Sequence, residues 1–159
     1  GVTSWVYRER APFHPQRLLE FLQKPWHNGR LLRSKGYFWL ASRHLEIGLL
    51  AQSGKQFQWD YVGRWWNFIE PSQWPRDEYR LQGIMAKWDS VVGDCRQELV
   101  FIGQGLDTRV LQRELDHCLL SAQEIAAGPL AWQALPAATA FDTEALSARP
   151  TPPMAVQPT

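Results

Sequence analysis

Residues 96–103 read Arg-Gln-Glu-Leu-Val-Phe-Ile-Gly. Three polar residues lead into four consecutive apolar ones, and a glycine closes the run. This pattern predicts a strand buried on both faces in the middle of a sheet. A helix of the same apolar weight needs more length, and Gly103 and Gly105 interrupt it. The rest of the chain is expected to pack around this strand.

The flanking sequence supplies the partners. Residues 3–8 read as a strand, with Trp5 and Tyr7 on one side and Val6 on the other. His14-Pro15 opens a helix, since proline at the first helical position forfeits no hydrogen bond. Leu18, Leu19 and Leu22 share its apolar stripe. Residues 30–42 predict a long strand, with Gly36 marking a bulge or a close backbone approach. Residues 46–52 predict another strand, ending in the turn Ser53-Gly54-Lys55. Residues 56–62 then alternate, with Phe57, Trp59 and Tyr61 on one face and Gln56, Gln58 and Asp60 on the other. The two runs and their short turn make a hairpin.

A helix from Asp77 carries Leu81, Ile84, Met85 and Trp88 at helical spacing, weakened by Gly83. After the turn at Gly93-Asp94 and the central strand, Asp107 caps a helix bearing Val110, Leu111, Leu115, Cys118 and Leu119. Ser121 and Glu124 form a capping-box pattern, and Gly128-Pro129 ends the short helix behind it. The expected order is β-α-β-β-β-α-β-α. The expected class is α+β: a mostly antiparallel sheet of about five strands with helices mainly on one face. Residues 1–135 form the domain, and the Pro/Ala-rich stretch 136–159 reads as a flexible tail.

A chain of 159 residues holds one domain with a core. Its nine tryptophans read mainly as core rings. A net charge of +1 argues against a general phosphate footprint, so no nucleic-acid partner is expected. No apolar run reaches the roughly 20 residues of a membrane span. No secretory signal opens the chain, and two cysteines make no disulfide framework, so a cytoplasmic protein is expected.

Chemistry is sparsely represented. There is no phosphate-binding Gly-x-x-x-x-Gly-Lys-Ser/Thr loop, and Gly103-Gln104-Gly105 is only a weak echo of a dinucleotide loop. The histidines His14, His27, His44 and His117 are scattered, Cys118 lies on an apolar stripe, and Cys95 sits near a turn where exposure is expected. Ser34 and Cys95 are bare nucleophile candidates without a local signature. What remains is surface. Arg33 and Lys35 share a strand face, and Arg96 and Glu98, also two apart, are placed to pair with them across the sheet. Arg64 precedes Trp65 and Trp66, which point to opposite faces if the strand continues, one core and one exposed.

Four segments stand in a recognisable order. They are Ser4-Trp5-Val6-Tyr7-Arg8 with Pro12-Phe13-His14-Pro15; Leu32-Arg33-Ser34-Lys35-Gly36-Tyr37-Phe38-Trp39-Leu40-Ala41; Gly63-Arg64-Trp65-Trp66; and Gly93-Asp94 followed by residues 96–103. Together they resemble the C-terminal domain of the CobW family of GTP-dependent metal chaperones. That family includes proteins of cobalamin synthesis, zinc-handling GTPases and nitrile hydratase activators. The resemblance implies a preceding GTPase domain that carries the nucleotide motif and a Cys-x-Cys-Cys metal motif, both missing here. It implies GTP, magnesium and zinc or cobalt for the full-length family protein, and no catalytic, cofactor or metal residue in this chain. The expected role is a non-catalytic interaction domain that docks on the GTPase domain or on the metal-receiving client. Arg33, Lys35, Arg64 and Trp66 are the partner-binding candidates. The alternative is a small metal-binding protein using Cys95 and histidines.

Overall fold

The computed structural model describes residues 1–142. Strands β1 (Val2–Glu9), β2 (Arg30–Phe38), β3 (Glu46–Ser53), β4 (Gln56–Arg64) and β5 (Gln97–Gln104) form one sheet. Their order is β1-β5-β2-β3-β4, and every neighbouring pair is antiparallel. Helices α1 (Pro15–Gln23), α2 (Glu78–Ala86), α3 (Thr108–Cys118), α4 (Ala122–Ala127) and α5 (Pro129–Gln133) complete it. This is the expected α+β fold, with β5 between β1 and β2 and the longer β2 at the geometric centre.

Local chemistry explains the helix starts. Pro15 occupies the first turn of α1, and the His14 Nδ1 accepts from the Gln16 N–H at 3.1 Å. The Asp107 carboxylate accepts from the Arg109 and Val110 N–H groups and caps α3. Ser121 and Glu124 close a reciprocal capping box on α4.

Strand register sorts the side chains by face. One row across the sheet runs Tyr7, Leu99, Gly36, Leu50, Trp59. It joins Phe101 and Phe38 under Leu18 and Leu22 of α1 and Leu111 and Leu115 of α3. Burying each such side chain stabilises the fold by about 1.5–3 kcal/mol. Gly36 marks a close approach: a Cβ there would collide with the Glu98 carbonyl and the Leu99 Cα. The register irregularity of β2 falls elsewhere, at Leu32 between Leu31 and Arg33.

Three local expectations need correction. The long strand predicted over 30–42 ends at Phe38, and Ala41–Arg43 is a 3-10 turn. The Gln97 side chain takes over there. Its Oε1 accepts from the Trp39 N–H at 2.9 Å, and its Nε2 donates to the Trp39 carbonyl at 2.8 Å. Leu40 then bridges to Phe13 instead of continuing the ladder.

Trp65 and Trp66 do not split between core and solvent. β4 stops at Arg64, the chain turns into a 3-10 segment, and both rings are buried. None of the nine tryptophans is exposed.

Residues 136–142, assigned by composition to the tail, bring Phe141 fully into the core, 4.8 Å from the Trp59 ring. The Tyr61 hydroxyl donates to the Phe141 carbonyl at 2.8 Å. The remainder of the expected tail, residues 143–159, lies outside the described residues.

Candidate partner-binding face

β5 is not buried on both faces. Leu99 and Phe101 are fully buried beneath the helices, whereas Val100 and Ile102 are only half-buried on the opposite side. The opposite face of the sheet is covered only at one end. There Trp39, Ile47, Val62, Trp65 and Cys95 form a second cluster with Phe68 and Val92. The loop that covers this end is held by Asp94, whose carboxylate accepts from the Trp66 and Asn67 N–H groups at 2.9 Å each. Arg10 ties it down by donating to the carbonyls of Lys87 and Gly93, each at 2.8 Å.

Beyond that cluster the face is open among the described residues. Register places Val6, Val100, Lys35 and Ala51 in one row, and Ser4, Ile102 and Arg33 in the next. A trough of about 370 Å³ lies here, walled by Tyr37, Leu49, Val100 and Ile102 and flanked by Arg33 and Lys35. Both cations are exposed, and neither has an ion-pair partner among the described residues.

The expected cross-sheet pairing with Glu98 is not formed. Glu98 stands opposite Tyr37 on β2 and opposite Arg8 on β1. Its carboxylate meets Arg96 at 3.0 Å, Lys87 at 3.8 Å and Arg8 at 3.9 Å. The hydrogen bond and charge of Arg96, with Lys87 and Arg8 adding, hold its pKa below the ordinary carboxylate value despite burial. Glu98 also lines the trough, but its carboxylate is taken up by these three cations, which leaves Arg33 and Lys35 without an ion-pair partner among the described residues.

The other candidates are dispersed. Arg64 is exposed at the end of edge strand β4, opposite Glu46 and therefore on the helix-bearing side. Trp66 is only 7 % exposed, its ring edge-on to Trp74. Cys95, expected near the surface, is 0 % exposed because its turn folds over the second cluster, and burial raises its thiol pKa. Cys118 is buried too, its pKa pushed up to about 12 by desolvation. Ser34 is buried, and its Oγ has no hydrogen-bond partner among the described residues. Gly105, with φ +65, turns the chain toward the Asp107 cap of α3.

The described residues bring together no group of three or more His, Cys, Asp or Glu side chains able to hold a metal ion. The donor set of the described residues thus does not fit a bound metal ion. A larger groove of about 480 Å³ lies between α1 and α3, but its charges are mostly spent on Lys24–Glu114 and Arg17–Glu124 pairs.

The trough residues Val100 and Ile102 escaped sequence reading as a site because an apolar strand looks the same whether one or both of its faces are covered. That Arg33 and Lys35 share one face was legible from their two-residue spacing.

An α+β domain with one covered and one open sheet face is thus defined. Over residues 2–119 its sequence matches the family described as the cobalamin synthesis protein cobW C-terminal domain, and the chain belongs to that family. It is 34 % identical over 135 residues to zinc-regulated GTPase metalloprotein activator 1 of Dictyostelium discoideum. That alignment covers 84 % of this chain and 28 % of the relative. The Zn(II)-bound YjiA GTPase from E. coli is similar at a TM-score of 0.46 and 15 % identity, over 75 % of this chain and 30 % of that one. The chain therefore spans less than a third of either protein. No helix among the described residues is long and apolar enough to cross a membrane.

Proposed function

We propose that this chain is the non-catalytic interaction domain of a CobW-like, GTP-dependent chaperone for zinc or cobalt, and that its open sheet face docks on the GTPase domain. One observation carries the reading. β5 is apolar on both faces, yet the described residues cover only one of them. A patch of half-buried aliphatic side chains on an uncovered sheet face is surface that a partner would bury. Arg33 and Lys35 flank the half-buried strip and select the partner; Arg64, on the helix-bearing side, takes no part in this contact. Trp66 serves indirectly, by fixing the loop that walls the covered end. Nucleotide hydrolysis belongs to the GTPase domain, and docking responds to its state.

Titration calorimetry tests this. The probe is the GTPase region of the Dictyostelium relative, loaded with GDP or with a non-hydrolysable GTP analogue. Affinity should differ between the two states and fall on Val100→Thr/Ile102→Thr substitution. Absence of binding in both states sinks the docking role. The isolated chain should hydrolyse no GTP above background, and turnover would overturn the assignment of catalysis elsewhere.

A further inference from the structure

Resting on that reading, we infer that the segment received by the open face is acidic and amphipathic, with carboxylates set beside apolar side chains. The chain is almost neutral overall, at a net charge of +1. Its charge is nonetheless unevenly placed. Arg8, Arg33, Lys35 and Lys87 border the open face, where Glu98 and Asp60 are the acids. Glu98 is already engaged by Arg96, Lys87 and Arg8, and Asp60 is buried with one oxygen accepting from the Tyr61 N–H. The outward field at Arg33 and Lys35 is therefore uncompensated within the described residues.

The apolar strip decides what kind of anion fits. Val6 of β1 and Val100 and Ile102 of β5 share this face with Arg33 and Lys35 of β2, so a ligand that reaches those charges must also cover aliphatic surface. A phosphodiester backbone offers nothing to that strip, and the ring on the trough wall, Tyr37, is half-buried against the second cluster rather than presented for bases to stack on. A segment carrying leucine-like side chains with flanking Asp or Glu satisfies both halves at once. Its apolar groups fill the trough, and its carboxylates meet Arg33 and Lys35 at the rim, where electrostatics choose the partner.

The test uses the isotope-labelled chain and two synthetic helical peptides of about 18 residues. They share one apolar face and carry either Glu or Lys on its flanks. The Glu peptide should bind, with amide shifts clustered on Arg33, Lys35, Val100 and Ile102. Arg33→Glu/Lys35→Glu should weaken binding by about tenfold or more, and added salt should do the same. Equal binding of the two peptides overturns the inference. So does a cluster of shifts elsewhere, tighter binding of a thymidine oligonucleotide to the same face, or self-association that shifts these amides without peptide. Should the Glu peptide fail while the GTPase titration succeeds, docking stands and the acidic chemistry falls. Failure of both removes the face itself.

Discussion

His14 shows how one residue serves three neighbours. Its N–H donates to the Cys118 carbonyl, its carbonyl accepts from the Leu18 N–H, and its Nδ1 caps α1. Only the neutral ring can accept at Nδ1, so protonation removes the cap. Burial lowers its pKa below 6.5, and nearby Arg17 lowers it further, against weaker opposing pulls from Glu124 and Glu20. The unfolded chain therefore binds a proton more readily than the folded one. Stability from this group is fully present above the unfolded pKa near 6.5 and declines as pH falls through the lowered folded value. His14→Asn keeps a capping side chain but does not titrate. Urea midpoints should fall less steeply with acidification in that variant as pH drops below about 6.5. A residual slope is expected from His44, also lowered by burial. An unchanged slope would place the linkage elsewhere.

At the scale of elements, what was legible follows from how local the signal is. α1, α3 and α4 announce themselves through Pro15, Asp107 and the Ser121–Glu124 box, all within a turn of the helix start. The β3–β4 hairpin does so through alternation and Gly54, which takes φ +61. The ends of β2 and β4 were not legible, because Gln97 and the buried Trp65 act on them from outside the strand. Which face of β5 lacks cover is likewise decided by where α1 and α3 dock, which no local window contains.

α2 makes the complementary point. Its spacing promised an apolar stripe, yet only Ile84 is buried, Tyr79 is 83 % exposed and Met85 is 51 % exposed. Gly83 costs it about 1 kcal/mol more. Its amides should open locally, with hydrogen-exchange protection about a hundredfold or more below that of β5. Equal protection would mean that α2 unfolds only with the sheet.

For the molecule as a whole, the question is where the folded unit ends. Composition set the boundary at residue 135, because alanine, threonine and proline dominate beyond it. Composition weighs average burial and misses a single anchor. Phe141 is such an anchor: it lies fully buried in the same cluster as Phe101, Leu18 and Trp59. Around it, Arg43 stacks on the Tyr61 ring at 3.8 Å and donates to the Asp142 carbonyl at 3.2 Å. The returning segment thus closes the helix-bearing side near edge strand β4. A chain stopped at Leu135 removes that ring and leaves the Tyr61 hydroxyl without its acceptor. It should be less stable than a chain stopped at Asp142 by about 3–5 kcal/mol, the usual cost of deleting a buried phenyl group. Phe141→Ala in the longer chain should account for most of that difference, with urea midpoints as the measure. If the two lengths unfold together, the core ends at residue 135 and the contacts of Phe141 add nothing to the fold. If the shorter chain is weaker but Phe141→Ala is not, the backbone of the returning segment carries the effect rather than its ring.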